Sequence, residues 1–127
     1  NSKVKFAGYV RQEDLLKYTM SADVGIHGIK NTCLNHDYCL PNKVFEYTLS
    51  GIPVLVPDLT EMSKFIDRYK VGLTFTQDNN GSLEENMLQL INNKSLYAEL
   101  KQNIDMVKKE VTWNNEYAVL KSIYEQF

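Results

Sequence analysis

The sequence predicts an α/β domain with a mainly parallel sheet of about four strands, flanking helices and a helical C-terminal tail. Three observations carry that prediction. Short apolar runs rich in β-branched residues alternate with stretches of helical periodicity, the pattern of strand–helix–strand crossovers. The run "PVLV" at residues 53–56 is apolar at every position, as expected of a strand buried on both faces of a parallel sheet. Beyond Phe75 the chain shows only helical patterns and helix-start signals.

The elements follow in order. "VKFAGYV" at residues 4–10 begins as a strand, and "QEDLLKYTMSA" then sets Leu15, Leu16 and Met20 on one helical face. Asp23 precedes a second short strand at residues 24–28. Residues 29–41 form a long polar loop, a feature that in a compact domain marks function or disorder. "NKVFEYTLS" reads as a short helix with Asn42 as N-cap and Gly51 placed to end it. After the strand at 53–56, "DLTEMSKFIDRY" opens on an Asp58/Glu61 pair resembling a capping box. The fourth strand is "VGLTF" at 71–75. Ser82 and Glu85 form a second capping-box pattern, a long helix follows, and Thr112 caps the last one. Right-handed crossovers place the functional crevice at the carboxyl ends of the strands. No internal repeat, low-complexity linker or second domain is visible.

Composition narrows the function. A chain of 127 residues, 43% hydrophobic, is one domain's worth of sequence with a real core. A formal charge of −2 gives no electrostatic reason to expect nucleic acid as a partner. No apolar run approaches the ~20 residues that span a bilayer. Two cysteines are too few for a secreted disulfide scaffold, so a reducing cytoplasm is the default compartment. No signal peptide is visible, and a chain opening on Asn1 is expected to begin at a processed end or a cut.

Two chemistries compete in "CLNHDYCLPNKVFEY". Cys33-x-x-His36-x-x-Cys39 offers three soft metal ligands, with His27 or Asp37 as a fourth. The usual paired-ligand spacings are absent, however, and loop cysteines with no metal are favoured. The helix that follows is more informative. A loop leaving a strand's carboxyl end and entering a helix aims free backbone N–H groups at the crevice, where an anion fits. Lys43 in the first turn opposes the helix dipole, a cost that a bound phosphate would offset. Glu46 lies one turn in, on an otherwise apolar stretch.

The segment "LPNKVFEYTLSGIPVLVPDLTEMSKFIDRYKVGLTF" resembles the donor-binding part of retaining glycosyltransferases of GT-B architecture (group 1). The likeness is to the bacterial type that builds capsule and lipopolysaccharide glycans. "VKFAGYVRQEDLLKYTMSADVGIHG" upstream and "TWNNEYAVLKSIYEQF" at the end are similar to flanking family patterns. The resemblance implies a Rossmann-like, partial C-terminal nucleotide-sugar-binding domain over residues 1–127. Its implied reaction moves a hexosyl group from a nucleoside-diphosphate sugar to a glycan or lipid-linked acceptor in surface polysaccharide synthesis. By position, Asn42 and Lys43 match the helix start that receives the donor diphosphate, and Glu46 matches the glutamate that holds the ribose hydroxyls. Tyr9 and Val10 match the turn lining the nucleobase. The implied chemistry uses no cofactor and no metal, no catalytic residue is assigned, and the location is cytoplasmic, with peripheral attachment to the inner face of the membrane an open option.

The sequence departs from the family in three places. Tyr38 stands where the E-x7-E motif has its first acidic residue, which leaves Asp37 and Tyr38 as candidates for donor-sugar contact. Pro41 replaces a common glycine and removes one N–H. The acceptor-binding N-terminal domain and two strand–helix units have no counterpart, so this chain alone is expected to be inactive. Without those units the strand at 4–7 lacks its family neighbours, and an unpaired edge invites self-association. A receiver-like signalling module would need an acidic pair after the first strand, where Tyr9, Val10 and Arg11 stand instead. A non-catalytic Rossmann-like module that binds nucleotide or protein remains the alternative.

Overall fold

Three short parallel strands, β1 (Gly25–Ile26), β2 (Val54–Pro57) and β3 (Gly72–Phe75), form one sheet in the order β1-β2-β3 in the computed structural model, which describes residues 3–126. Gly25 pairs with Val54, which on its other side pairs with Gly72, so the three predicted strands make a contiguous parallel ribbon. The helices are α1 (Gln12–Thr19), α2 (Leu34–Asp37), α3 (Asn42–Leu49), α4 (Thr60–Tyr69), α5 (Asn80–Asn92), α6 (Lys94–Glu110) and α7 (Trp113–Tyr124).

The central strand explains its own composition. Val54 and Val56 point to one face, packing with Val44 of α3, Met62, Phe65 and Ile66 of α4, and Ile104 and Val107 of α6. Leu55 points to the other face, against Leu90 of α5 and Leu100 of α6. Side chains alternate along a strand, so a strand covered on both faces is apolar throughout. Each of these fully buried aliphatic side chains contributes roughly 1.5–3 kcal/mol of transfer free energy. Phe45 meets Phe65 edge-on at 5.4 Å between centroids, which locks α3 to α4.

α3 is bounded by backbone chemistry at its far end. Gly51 has φ of 81°, and the N–H groups of Gly51 and Ile52 donate to the carbonyls of Thr48 and Tyr47. This is a Schellman motif, and a left-handed φ at its C′ position favours glycine. Gly25 serves a different need: a Cβ there would sit 2.3 Å from the Tyr47 ring, so its absence lets α3 lie close on β1.

α6 crosses the amino-terminal ends of all three strands. Tyr97 Oη donates to the Asp23 carbonyl just before β1, Lys101 Nζ to that of Gly51 before β2, and Asn103 Nδ2 to that of Lys70 before β3. The carboxyl ends of the strands are left to loops and helix starts, which positions the site.

Several local expectations are corrected. Residues 4–7 are not a strand, so the sheet has three strands rather than about four. β1 offers a ladder only two residues long, which pairs with β2, and Phe6 finds no apolar layer and stays 94% exposed. Pro41, not Asn42, is the N-cap of α3. α4 begins at Thr60, capped from a distance by Asp37, while Glu61 pairs with Lys64 at 2.7 Å. α5 starts earlier than expected: Asn79 Oδ1 accepts from the Gly81 N–H at 3.0 Å, and Ser82 Oγ accepts from the Thr76 N–H instead. Thr112 does cap α7, accepting from the Asn115 N–H at 3.3 Å. No helix among the described residues is long and apolar enough to cross a membrane.

Candidate functional site at the carboxyl end of the sheet

The starts of α3, α4 and α5 follow the carboxyl ends of β1, β2 and β3, and they differ in how they are satisfied. α4 receives the Asp37 carboxylate, with Oδ1 3.2 Å from the Thr60 N and 3.1 Å from Thr60 Oγ1. α5 has Asn79. α3 has no side-chain cap: Pro41 supplies only its carbonyl, to the Val44 N–H. The first N–H groups of α3 carry the positive end of the helix dipole with no acidic side chain in the first turn.

The 3.6-residue period splits the expected site residues between two faces of α3. Asn42 and Glu46, one turn apart, line a groove of about 940 Å³ together with Gln12 of α1, Leu49 of α3, and Trp113 and Glu116 of α7. Lys43 lies on the neighbouring face, exposed and outside every ion pair formed among the described residues. It is near His27 at the end of β1. Burial first, and the Lys43 charge second, hold the His27 imidazole below its ordinary value. His27 Nε2 is buried without a hydrogen-bond partner. Tyr47, the next residue on that face, is pushed up by burial and by Glu46, and its hydroxyl donates to the Ile26 carbonyl at 3.3 Å.

The other expected residues are placed less uniformly. Tyr9, 92% exposed, and Val10, half-buried, come just ahead of Gln12, whose side chain reaches the groove. Asp37 is engaged at α4, whereas Tyr38 is exposed. Cys33, His36 and Cys39 do not converge. His36 Nδ1 lies 2.8 Å from the Lys30 carbonyl, Cys39 Sγ donates to the His36 carbonyl, and both thiols are free. Among the described residues no three His, Cys, Asp or Glu side chains gather as a metal site.

Sequence reasoning missed Gln12, Gln77 and Thr60. Gln77 donates from Nε2 to the Ile29 carbonyl at 2.7 Å and accepts the Asn31 N–H on Oε1 at 2.8 Å. Nothing in the local pattern signals this contact, because its partners lie 46 and 48 positions away in the chain. A second, smaller cavity of about 270 Å³ lies near the amino-terminal ends of the strands, against Asp23, Leu90 and Tyr97, away from the α3 start.

Residues 1–93 match the family described as glycosyl transferases group 1. The match takes in the sheet, the loop between β1 and α3, and α3 itself, with its uncapped start and Glu46. No curated protein and no solved structure matches the chain. The matched span is well over half of the 127 residues, and on it the chain belongs to the group 1 glycosyltransferases.

Proposed function

We propose that this chain is the donor-binding part of a GT-B glycosyltransferase. It would move a hexosyl group, with retention of configuration, from a nucleoside-diphosphate sugar to a glycan or lipid-linked acceptor in surface polysaccharide synthesis. The observation that carries the reading is the start of α3: no side-chain cap, an unpaired Lys43 in the first turn, and Glu46 one turn on in the groove. The N–H groups of Asn42 and Lys43 receive the diphosphate, where the helix dipole favours negative charge. Glu46 accepts hydrogen bonds from the ribose hydroxyls, and Tyr9 and Val10 border the base. With Asp37 held at α4, Tyr38 is the freer of the two to reach the sugar.

The catalytic contribution of this half is electrostatic. Oriented N–H groups and Lys43 stabilise the charge that develops on the departing nucleoside diphosphate, and no metal is required. The acceptor is held by a further domain, in the cytoplasm or at the inner face of the membrane. Without it the chain transfers no sugar, because holding both reactants in attack geometry accounts for ~7–11 kcal/mol of a barrier.

Calorimetric titration of the purified chain with UDP, GDP and ADP tests the reading. Saturable binding of one of them without added metal, weakened by Glu46→Ala, is the expected result. No binding of any of the three, or binding indifferent to Glu46, would overturn it.

A further inference from the structure

We infer that Gln77 is a positioning residue for the donor diphosphate, acting through the loop between β1 and α3, with Thr60 as its second anchor. The inference rests on the donor-binding reading above. Residues 29–41 leave the end of β1 and deliver the chain to the start of α3, and side chains rather than a ladder hold them in place. At the loop's beginning, the Gln77 amide from the β3–α5 connection grips two backbone groups at once, the Ile29 carbonyl at 2.7 Å and the Asn31 N–H at 2.8 Å. At its middle, Asp37 accepts from the Thr60 N–H and hydroxyl at the head of α4. Between these anchors His36 Nδ1 closes onto the Lys30 carbonyl, and just beyond the second Cys39 Sγ donates to the carbonyl of His36. Only the short stretch 38–41 separates the second anchor from Asn42, so α3 enters from a chain fixed relative to β2 and β3.

The chemistry at Gln77 is specific. A primary amide is the uncharged side chain that donates and accepts at adjacent atoms, which the pair Ile29 C=O and Asn31 N–H demands. Gln77→Glu keeps the acceptor but sets a carboxylate against the Ile29 carbonyl. Gln77→Leu removes both bonds at similar length. Each variant frees the start of the loop while leaving the buried sheet and α6 untouched. A binding site held to within fractions of an ångström loses affinity when its supporting residues loosen.

The test measures amide hydrogen exchange in residues 29–41 without ligand, thermal stability, and affinity for whichever of UDP, GDP and ADP binds best. In Gln77→Leu the Asn31 amide should exchange faster with little change in thermal midpoint, and nucleotide affinity should fall about tenfold. Gln77→Glu, which keeps the acceptor for the Asn31 N–H, should lower affinity in the same direction with a smaller change in exchange at Asn31. Thr60→Val should weaken binding in the same direction, and Thr60→Ser, which keeps the hydroxyl, should restore it. Faster exchange with unchanged affinity in Gln77→Leu would overturn the positioning role, as would unchanged exchange in that variant. Failure of the unsubstituted chain to bind any of the three nucleotides would remove the donor-binding reading and this inference together. Normal binding by the unsubstituted chain and by both Gln77 variants would remove the inference alone.

Discussion

The two ends of the sheet are finished in opposite ways. At the amino-terminal end, α6 lies across all three strands and closes the carbonyls of Asp23, Gly51 and Lys70 with side-chain donors from Tyr97, Lys101 and Asn103. The same helix sends Leu100 to one face of the sheet, and Ile104 and Val107 to the other. At the carboxyl end a long loop is tied down by single side chains, a helix start has no cap, and the Lys43 charge adds to burial in holding the His27 imidazole below its ordinary value. Side-chain donors close the backbone carbonyls at one end, where Ser50 Oγ alone is buried without a partner among the described residues. The uncapped helix start, the free Lys43 charge and the unpartnered His27 Nε2 lie at the other. Stability is thereby concentrated where no ligand is expected, and binding where the structure leaves groups to be satisfied.

The largest effect should come from breaking the sealed end. Ile104 is fully buried in the main core cluster. Ile104→Ala should lower unfolding free energy by ~2–5 kcal/mol, read by chemical denaturation. Ile104 shares its core cluster with Val44 of α3 but does not line the groove that holds Asn42 and Glu46, so nucleotide affinity measured under conditions where the variant is folded should change far less than stability. A large loss of affinity in folded protein would show that the two ends are coupled and break the comparison.

Glu46→Ala should do the reverse. Loss of a carboxylate that accepts from the ribose hydroxyls costs ~1.5–3 kcal/mol of binding, or roughly 10- to 150-fold in affinity. Glu46 makes no ion pair among those formed by the described residues, so stability should change little. A matched calorimetric and denaturation pair checks both halves. A variant that unfolds early but binds normally would place Glu46 in the scaffold instead.

Asp37 sharpens the contrast at the level of one cap. Its carboxylate satisfies the head of α4 from another segment of the chain. Asp37→Ala should therefore lower stability by ~0.5–2 kcal/mol, the usual cost of a lost helix cap, and Asp37→Asn should recover much of it. If Asp37→Ala leaves stability untouched but shifts preference among donor sugars, its main role is at the sugar.

What was legible in the sequence follows the same division. The strands at β1, β2 and β3, their parallel order, the helix terminated by Gly51 and the cap at Thr112 were readable because periodicity and local turn chemistry determine them. The strand expected at residues 4–7 failed because alternation reports a capacity to pack, and no neighbouring sheet edge receives Phe6. The capping boxes at Asp58 and Ser82 failed for a related reason. A local donor–acceptor pattern was outcompeted by Asp37 from a distant loop and by the turn that begins at Asn79. At the candidate site, residue types and spacing placed Asn42, Lys43 and Glu46 on the same helix, and helical geometry divides them between two faces. Gln77 and Thr60 were invisible, since a contact 23 or 46 positions away leaves no local trace.

The smallest effect, and the one whose sign is most telling, belongs to Lys43. A cation in the first turn opposes the helix dipole, so Lys43→Ala should stabilise the ligand-free chain by ~0.3–1 kcal/mol while weakening nucleoside diphosphate binding. The binding loss should shrink as salt is raised, because the side chain is exposed and its field is screened over roughly 8–10 Å at moderate ionic strength. His27 supplies an independent reading of the same charge. Its pKa is lowered by burial and then by Lys43, so the folded chain holds that proton less tightly than the unfolded chain does. Stability should fall as pH drops below ~6.5, where the unfolded state protonates and the folded state resists. Removing Lys43 relieves the second cause and leaves the first. The His27 midpoint, followed by NMR, should move up without returning fully to its ordinary value, and the acid-side loss of stability should become shallower. Diphosphate bound at α3 should move the same midpoint upward in the unsubstituted chain by placing negative charge beside Lys43. A Lys43→Ala chain that is less stable, or whose His27 titration and nucleotide affinity both stay where they were, would mean that the start of α3 is not poised for an anion.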